Sequence, residues 1–135
     1  MRAILPVASV LAAFVMSGSA RADPILECRV LAGDDLAVED CLRTQLDISY
    51  RAMSEAQDLA RGAALQRDER SGTDAGVLGV EASQQAWEAY RDVECQTIAL
   101  FAGDGVAAEA AQLACEIRLT RARTDDMLRL ARQGS

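Results

Sequence analysis

The sequence predicts an all-α fold, an antiparallel three-helix bundle with an irregular N-terminal segment and two disulfides. Three observations carry that expectation. Apolar residues recur at steps of three and four along three long stretches. No stretch of the mature chain alternates with a period of two for long enough to make a strand. Four cysteines, Cys28, Cys41, Cys95 and Cys115, make an even set in a chain that reads as exported.

Export is read from residues 1–22. Arg2 supplies a positive start, Ala3 to Met16 is almost wholly apolar, and Ala20-Arg21-Ala22 fits the small-x-small cleavage rule, which places the cut between Ala22 and Asp23. The apolar run, about 14 residues, is shorter than the roughly 20 that a spanning helix needs, so it reads as a cleaved signal and not as a membrane anchor. No cysteine follows the cut, so a lipid-attached form is not expected. The mature chain, Asp23 to Ser135, suits one domain with a modest core, a size that gains from cross-links.

The mature domain is acidic. Arg2 and Arg21 precede the cut, which leaves 12 arginines against all 21 acids and a net charge of −9; there is no Lys and no His. That balance argues against nucleic acid and anionic membrane surfaces as partners and permits a basic protein. It serves solubility equally well. Without His, and without a C-x-x-C pair, the cysteines do not read as a metal site. They read as two disulfides in an oxidising compartment, periplasmic or secreted.

Asp23 to Gly33 carries a Pro and a Gly with little periodicity and reads as irregular, tied down through Cys28. Asp34 and Asp35 offer a helix start. Val38, Leu42, Leu46, Tyr50 and Met53 then mark an amphipathic first helix over Leu36 to Arg61, with Gly62 near its end and a weaker extension to Arg67. Asp68 to Gly79, with Gly72, Gly76 and Gly79, reads as a loop. The second helix runs from Val80 to Phe101. One of its faces carries Val80, Gln84, Trp87, Arg91, Glu94 and Ile98, and the opposite face Ala82, Ala86, Ala89, Val93 and Leu100. Two usable faces predict a central position, although an alanine face also tolerates solvent. After a break at Ala102 to Gly105, a third helix spans Val106 to Ala131, with Val106, Ala110, Leu113, Ile117, Thr124 and Met127 or Leu128 as its stripe.

Antiparallel packing of three such helices gathers all four cysteines at one pole and leaves the Gly-rich loop at the other. Of the three pairings that four cysteines allow, the local ones, Cys28–Cys41 and Cys95–Cys115, are favoured. Crossed pairing is compatible with the same cluster.

The densest chemistry runs from Gln84 to Cys95. Trp87 and Arg91 are i,i+4 neighbours, so the guanidinium can lie along the indole. Arg91 can also reach Glu88 or Glu94, or a carboxylate of the first helix such as Asp47. The main expectation for these residues is structural, with Trp87 filling space between helices; the alternative is a binding surface that uses Trp87 or Tyr90. Glu88 and Asp92 have the spacing of paired acids, but also that of ordinary solvated charge, and no His stands beside any Ser or Cys nucleophile. No enzyme activity and no cofactor are expected.

Gln84, Ala86, Trp87, Tyr90, Arg91, Asp92, Glu94 and Cys95, followed by Cys115 and then Leu119, Thr120 and Arg123, resemble the core pattern of the LprI N-terminal-like family of exported bacterial proteins. Cys28 and Cys41 match the family's two early cysteines, and Leu46 to Met53 resembles its LN-x-x-Y segment with Asp47 in place of Asn. The resemblance implies a helical exported domain with paired cysteines. It also implies a binding protein that inhibits a lysozyme or muramidase. With a net charge of −9 facing a basic enzyme, the loop Asp68–Gly79 or the acidic first helix is expected to meet the cleft. The alternative is an envelope interaction protein without that activity.

Overall fold

The computed structural model describes residues 22–32 and 34–134. The predicted signal segment, apart from Ala22, lies outside the described residues. Four helices follow one another: α1 (Pro24–Ala32), α2 (Asp35–Ser71), α3 (Ala75–Ala102) and α4 (Val106–Gly134). Among the described residues the all-α expectation holds, but the helix count is four. The supposedly irregular N-terminal segment forms α1. Asp23 caps it, its carboxylate accepting from the Ile25 amide at 2.9 Å, and Pro24 occupies the first turn, where a missing N–H costs nothing.

The loop expected over Asp68–Gly79 is also corrected. α2 continues to Ser71, α3 begins at Ala75, and only Gly72, Thr73 and Asp74 connect them. Asp34 starts α2 by accepting from the Ala37 amide at 2.8 Å, and Gly72 ends it in the left-handed region at φ 70°. Gly62 does not end it. An internal glycine costs about 1 kcal/mol in a helix, and here Ala56, Ala60 and Ala64 around it are buried against Val80 and Met127. Tertiary packing thus carries the helix through a weak position.

Asp68 explains why α3 starts early. Its carboxylate accepts from the Gly76 and Val77 amides, each at 2.9 Å, and from the Thr73 hydroxyl at 3.3 Å. Its backbone carbonyl accepts from the Gly72 and Thr73 amides at 2.8 and 3.1 Å. One residue therefore closes the end of α2 and caps the start of α3. Gly76 is needed there, since a Cβ on it would stand 2.8 Å from Asp68 Oδ1.

The widest interface is α2 against α4, and these two helices form the spine. α3 packs on both through one face, and α1 covers the other end, touching α2 and α4 but not α3. α3 is therefore not central. Ala82, Ala86, Ala89, Val93 and Leu100 all face solvent, because none of the described helices lies on that side.

The core divides in two. At the disulfide pole Cys28, Val38, Leu42, Leu113 and Ile117 cluster, with Ile25, Leu46 and Ala110 against them. At the opposite pole Ala56, Ala60, Ala64, Val80 and Met127 cluster. Full burial of Leu42, Ile117 and Met127 stabilises by about 1.5–3 kcal/mol each. Both local disulfides form: Cys28–Cys41 joins α1 to α2, and Cys95–Cys115 joins α3 to α4, with Cα separations of 5.7 and 5.5 Å. All four cysteines lie at the pole away from the α2–α3 turn, as the antiparallel arrangement predicts.

Candidate functional site

Between the two apolar clusters lies a layer of aromatic rings, arginines and amides, and the motif residues of α3 converge there. Arg91 is at its centre. Its guanidinium carbon is 5.2 Å from the ring centroid of Tyr50 on α2 and 5.2 Å from that of Trp87. The side chain is only 13 % exposed and donates to Asp92 Oδ1 at 2.9 and 2.6 Å. The suggested carboxylate partners do not meet it. Asp47 stands on the solvent side of α2, paired with Arg51 at 2.9 Å. The α2 group that faces Arg91 is an aromatic ring, which attracts the cation through its negative face without having to be desolvated as a carboxylate would.

Trp87 has a second cation. Arg123 of α4 lies 5.9 Å from its ring, and donates to Gln84 Oε1 at 3.1 Å and to the Ser83 hydroxyl at 2.8 Å. Gln84 is buried, and its amide nitrogen donates to Glu88 at 3.0 Å and approaches the Met53 sulfur at 3.7 Å. Tyr50 donates to Glu116 at 3.3 Å, and Gln112 to the other oxygen of that carboxylate at 3.0 Å. Burial pushes the Tyr50 phenol above its usual range; the Glu116 carboxylate adds to this and Arg91 opposes it. Burial likewise lowers Arg123, against the pull of Asp126 and Glu88.

The layer welds α2, α3 and α4 together. A similar tie holds α1, where Arg121 of α4 donates to both oxygens of Glu27 at 3.1 and 3.0 Å and to Gln45 at 3.1 Å. Thr120 is fully buried in the α4 stripe, and its hydroxyl finds no partner among the described residues.

The motif residues thus separate into two groups. Gln84, Trp87, Arg91 and Cys95 turn inward and join helices. Tyr90 and Asp92 are exposed, and Glu94 is half-buried at the edge. Glu88 and Asp92 do not face each other across a cleft; both are exposed and held by neighbours on their own helix, Gln84 and Arg91. Among the described residues no group of three His, Cys, Asp or Glu side chains is placed to hold a metal. Sequence reasoning missed Arg123 and Glu116 as members of the layer. The Thr120-x-x-Arg123 spacing puts both side chains on one face of α4 and was the available signal.

No curated protein and no solved structure matches the chain. The sequence profile of the family described as "Lysozyme inhibitor LprI" matches residues 28–127, from the first cysteine to the buried Met127. That span holds both disulfides and every residue of the cation–aromatic layer, and on it the chain belongs to the LprI lysozyme-inhibitor family.

Proposed function

We propose that the domain is exported to the periplasm after removal of residues 1–22, and that it binds and inhibits a lysozyme-type muramidase. The observation that carries this reading is the family match over residues 28–127, which hold both disulfides. The −9 charge of the mature chain supports it by favouring a basic partner. The Asp68–Gly79 segment is no longer a suitable contact element. Its glycines lie in helix ends, and the Asp68 carboxylate is spent on the α3 amides. Contact through a helical face takes its place.

The test is a cell-wall turbidity assay with a c-type lysozyme and the purified mature domain at low salt. Inhibition that weakens as salt is raised is the expected result. Unimpeded lysis at tens of micromolar domain, far above the affinities of specific inhibitor complexes, rejects it. A second reading, an envelope interaction protein without lysozyme activity, is favoured by the short α2–α3 turn, which leaves no long loop among the described residues to enter a cleft. A specific periplasmic partner other than lysozyme, captured by the folded domain, distinguishes it.

A further inference from the structure

The outward face of α3 exposes apolar side chains that the packing of the bundle does not use. Ala86, Tyr90, Val93 and Leu100 fall on one side of the helix at steps of four, three and seven, with Leu78 and Phe101 at the two ends of that side. The side opposite carries Gln84 and Cys95, both buried. Tyr90, Val93, Leu100 and Phe101 are 53, 67, 80 and 89 % exposed. The stripe from Leu78 to Leu100 is about 33 Å long at 1.5 Å per residue. Isolated exposed apolar side chains are ordinary, but a continuous row on one helix marks an interaction surface.

Charge decides which kind of partner the row fits. α3 carries Glu81, Glu88, Asp92 and Glu94 against a single cation, Arg91. That cation is turned inward onto Tyr50 and Trp87. Arg61 of α2 meets Glu81 at the turn end; further along, Asp92, held by Arg91, and Glu94 border the apolar row from either side, and four acids against one arginine leave the helix a net charge of −3. α2, by contrast, carries five arginines from Arg43 to Arg70, and α4 carries five from Arg118 to Arg132. A second copy of this chain laid on the row would set carboxylates against carboxylates. A surface with an apolar ridge between Lys or Arg side chains would complement it.

The geometry points to the outer face of α3 as a docking surface for a cationic amphipathic partner, a basic protein that presents an apolar ridge flanked by Lys or Arg. This deepens the inhibitor reading by giving it a contact surface, and the surface can be tested apart from it. The recognition chemistry is the packing of one apolar helical stripe against another, the side-chain ridges of one helix lying between those of its partner.

The test uses the mature domain, its Val93→Lys and Leu100→Lys variants, and two probes. One probe is a c-type lysozyme. The other is a synthetic amphipathic helix of roughly three heptads with Leu at the seam and Lys on its flanks, paired with an analogue carrying Glu for Lys. Both substituted residues are solvent-exposed, so far-UV circular dichroism and the thermal midpoint should match those of the unsubstituted domain. The expected result is binding of the Lys peptide with amide shifts confined to α3, and about tenfold or greater loss of affinity in each variant and with the Glu analogue. Equal binding by the variants, shifts elsewhere on the bundle, or no binding overturns the proposal. So does a dimer in sedimentation that Val93→Lys dissociates, since a second copy would then own the face. If lysozyme is inhibited equally by the domain and its variants, the α3 surface fails and the inhibitor reading stands. If the peptide docks on α3 while lysozyme is untouched, the inhibitor reading fails and the surface stands.

Discussion

The Asp68 carboxylate, from the last turns of α2, accepts from the Gly76 amide in the first turn of α3 at 2.9 Å. The hydrogen bond from Val77 is the main reason its carboxyl is held below the usual carboxylate range, with Gly76, the Thr73 hydroxyl and the charge of Arg67 adding and burial opposing. A carboxyl whose folded pKa is depressed contributes stability above its unfolded value, near 3.8, and loses it as the pH falls through the lower folded value. Asp68→Asn should therefore lower the urea midpoint at pH 7. The gap from the unsubstituted domain should close as the pH drops below that range. A gap that stays constant into acid would remove the ionised cap from the account.

Two glycines in neighbouring helices should respond in opposite directions to the same change. Gly62 has nothing within 4 Å of where a Cβ would sit, so Gly62→Ala should raise stability by about 0.5–1 kcal/mol through helix propensity and a less flexible unfolded chain. Gly76→Ala gains the same propensity, but its Cβ meets the Asp68 carboxylate at 2.8 Å and displaces the cap. It should be destabilising. Denaturant titration of the two single variants is the comparison, and parallel shifts would contradict the close approach.

Arg91 between Tyr50 and Trp87 is the clearest case where Lys cannot replace Arg. A planar guanidinium can face both rings while bonding Asp92; an ammonium cannot do all three. Arg91→Lys should cost about 1 kcal/mol and Arg91→Ala about 2 kcal/mol, on the scale of partly desolvated cation–π contacts. Loss of near-ultraviolet dichroism from the aromatic layer should accompany both. An Arg91→Lys domain with unaltered stability and spectrum would mean that the rings gain nothing from the cation.

The buried Thr120 hydroxyl has no partner among the described residues. An unmet buried hydroxyl costs about 1–3 kcal/mol, so the near-isosteric Thr120→Val should raise stability by on the order of 1 kcal/mol. A lowered thermal midpoint would show that the hydroxyl is satisfied in solution.

Much of this architecture was legible before any coordinates. The periodic stripe Val38–Leu42–Leu46–Tyr50–Met53, the shared face of Gln84, Trp87 and Arg91 and the cysteine pole follow from helical spacing; the local pairings are favoured there, with crossed pairing left open until the fold joins Cys28 to Cys41 and Cys95 to Cys115. The misreadings have local causes. α1, nine residues long, is too short to develop periodicity, although Asp23-Pro24 carried its start signal. The stretch Asp68–Gly79 looks like a loop because three glycines in twelve residues argue against helix, and the residue that overrides them, Asp68, acts eight positions away on Gly76. Arg91 was given a carboxylate because charges suggest charges, whereas the α2 residue one turn beyond Asp47 is Tyr50.

What the sequence by itself determined is the set of long amphipathic helices, the disulfide framework and the family, because these depend on periodicity, cysteine placement and motif spacing along one chain. What only the tertiary structure decided is which faces meet. α2 and α4 form the spine, α1 covers the disulfide end, and none of the described helices covers the outer side of α3. Burial is a property of pairs of faces, and a stripe on one helix does not say what lies opposite it. For that reason the same apolar spacing that buries Ile117 in the core leaves Val93 and Phe101 in solvent.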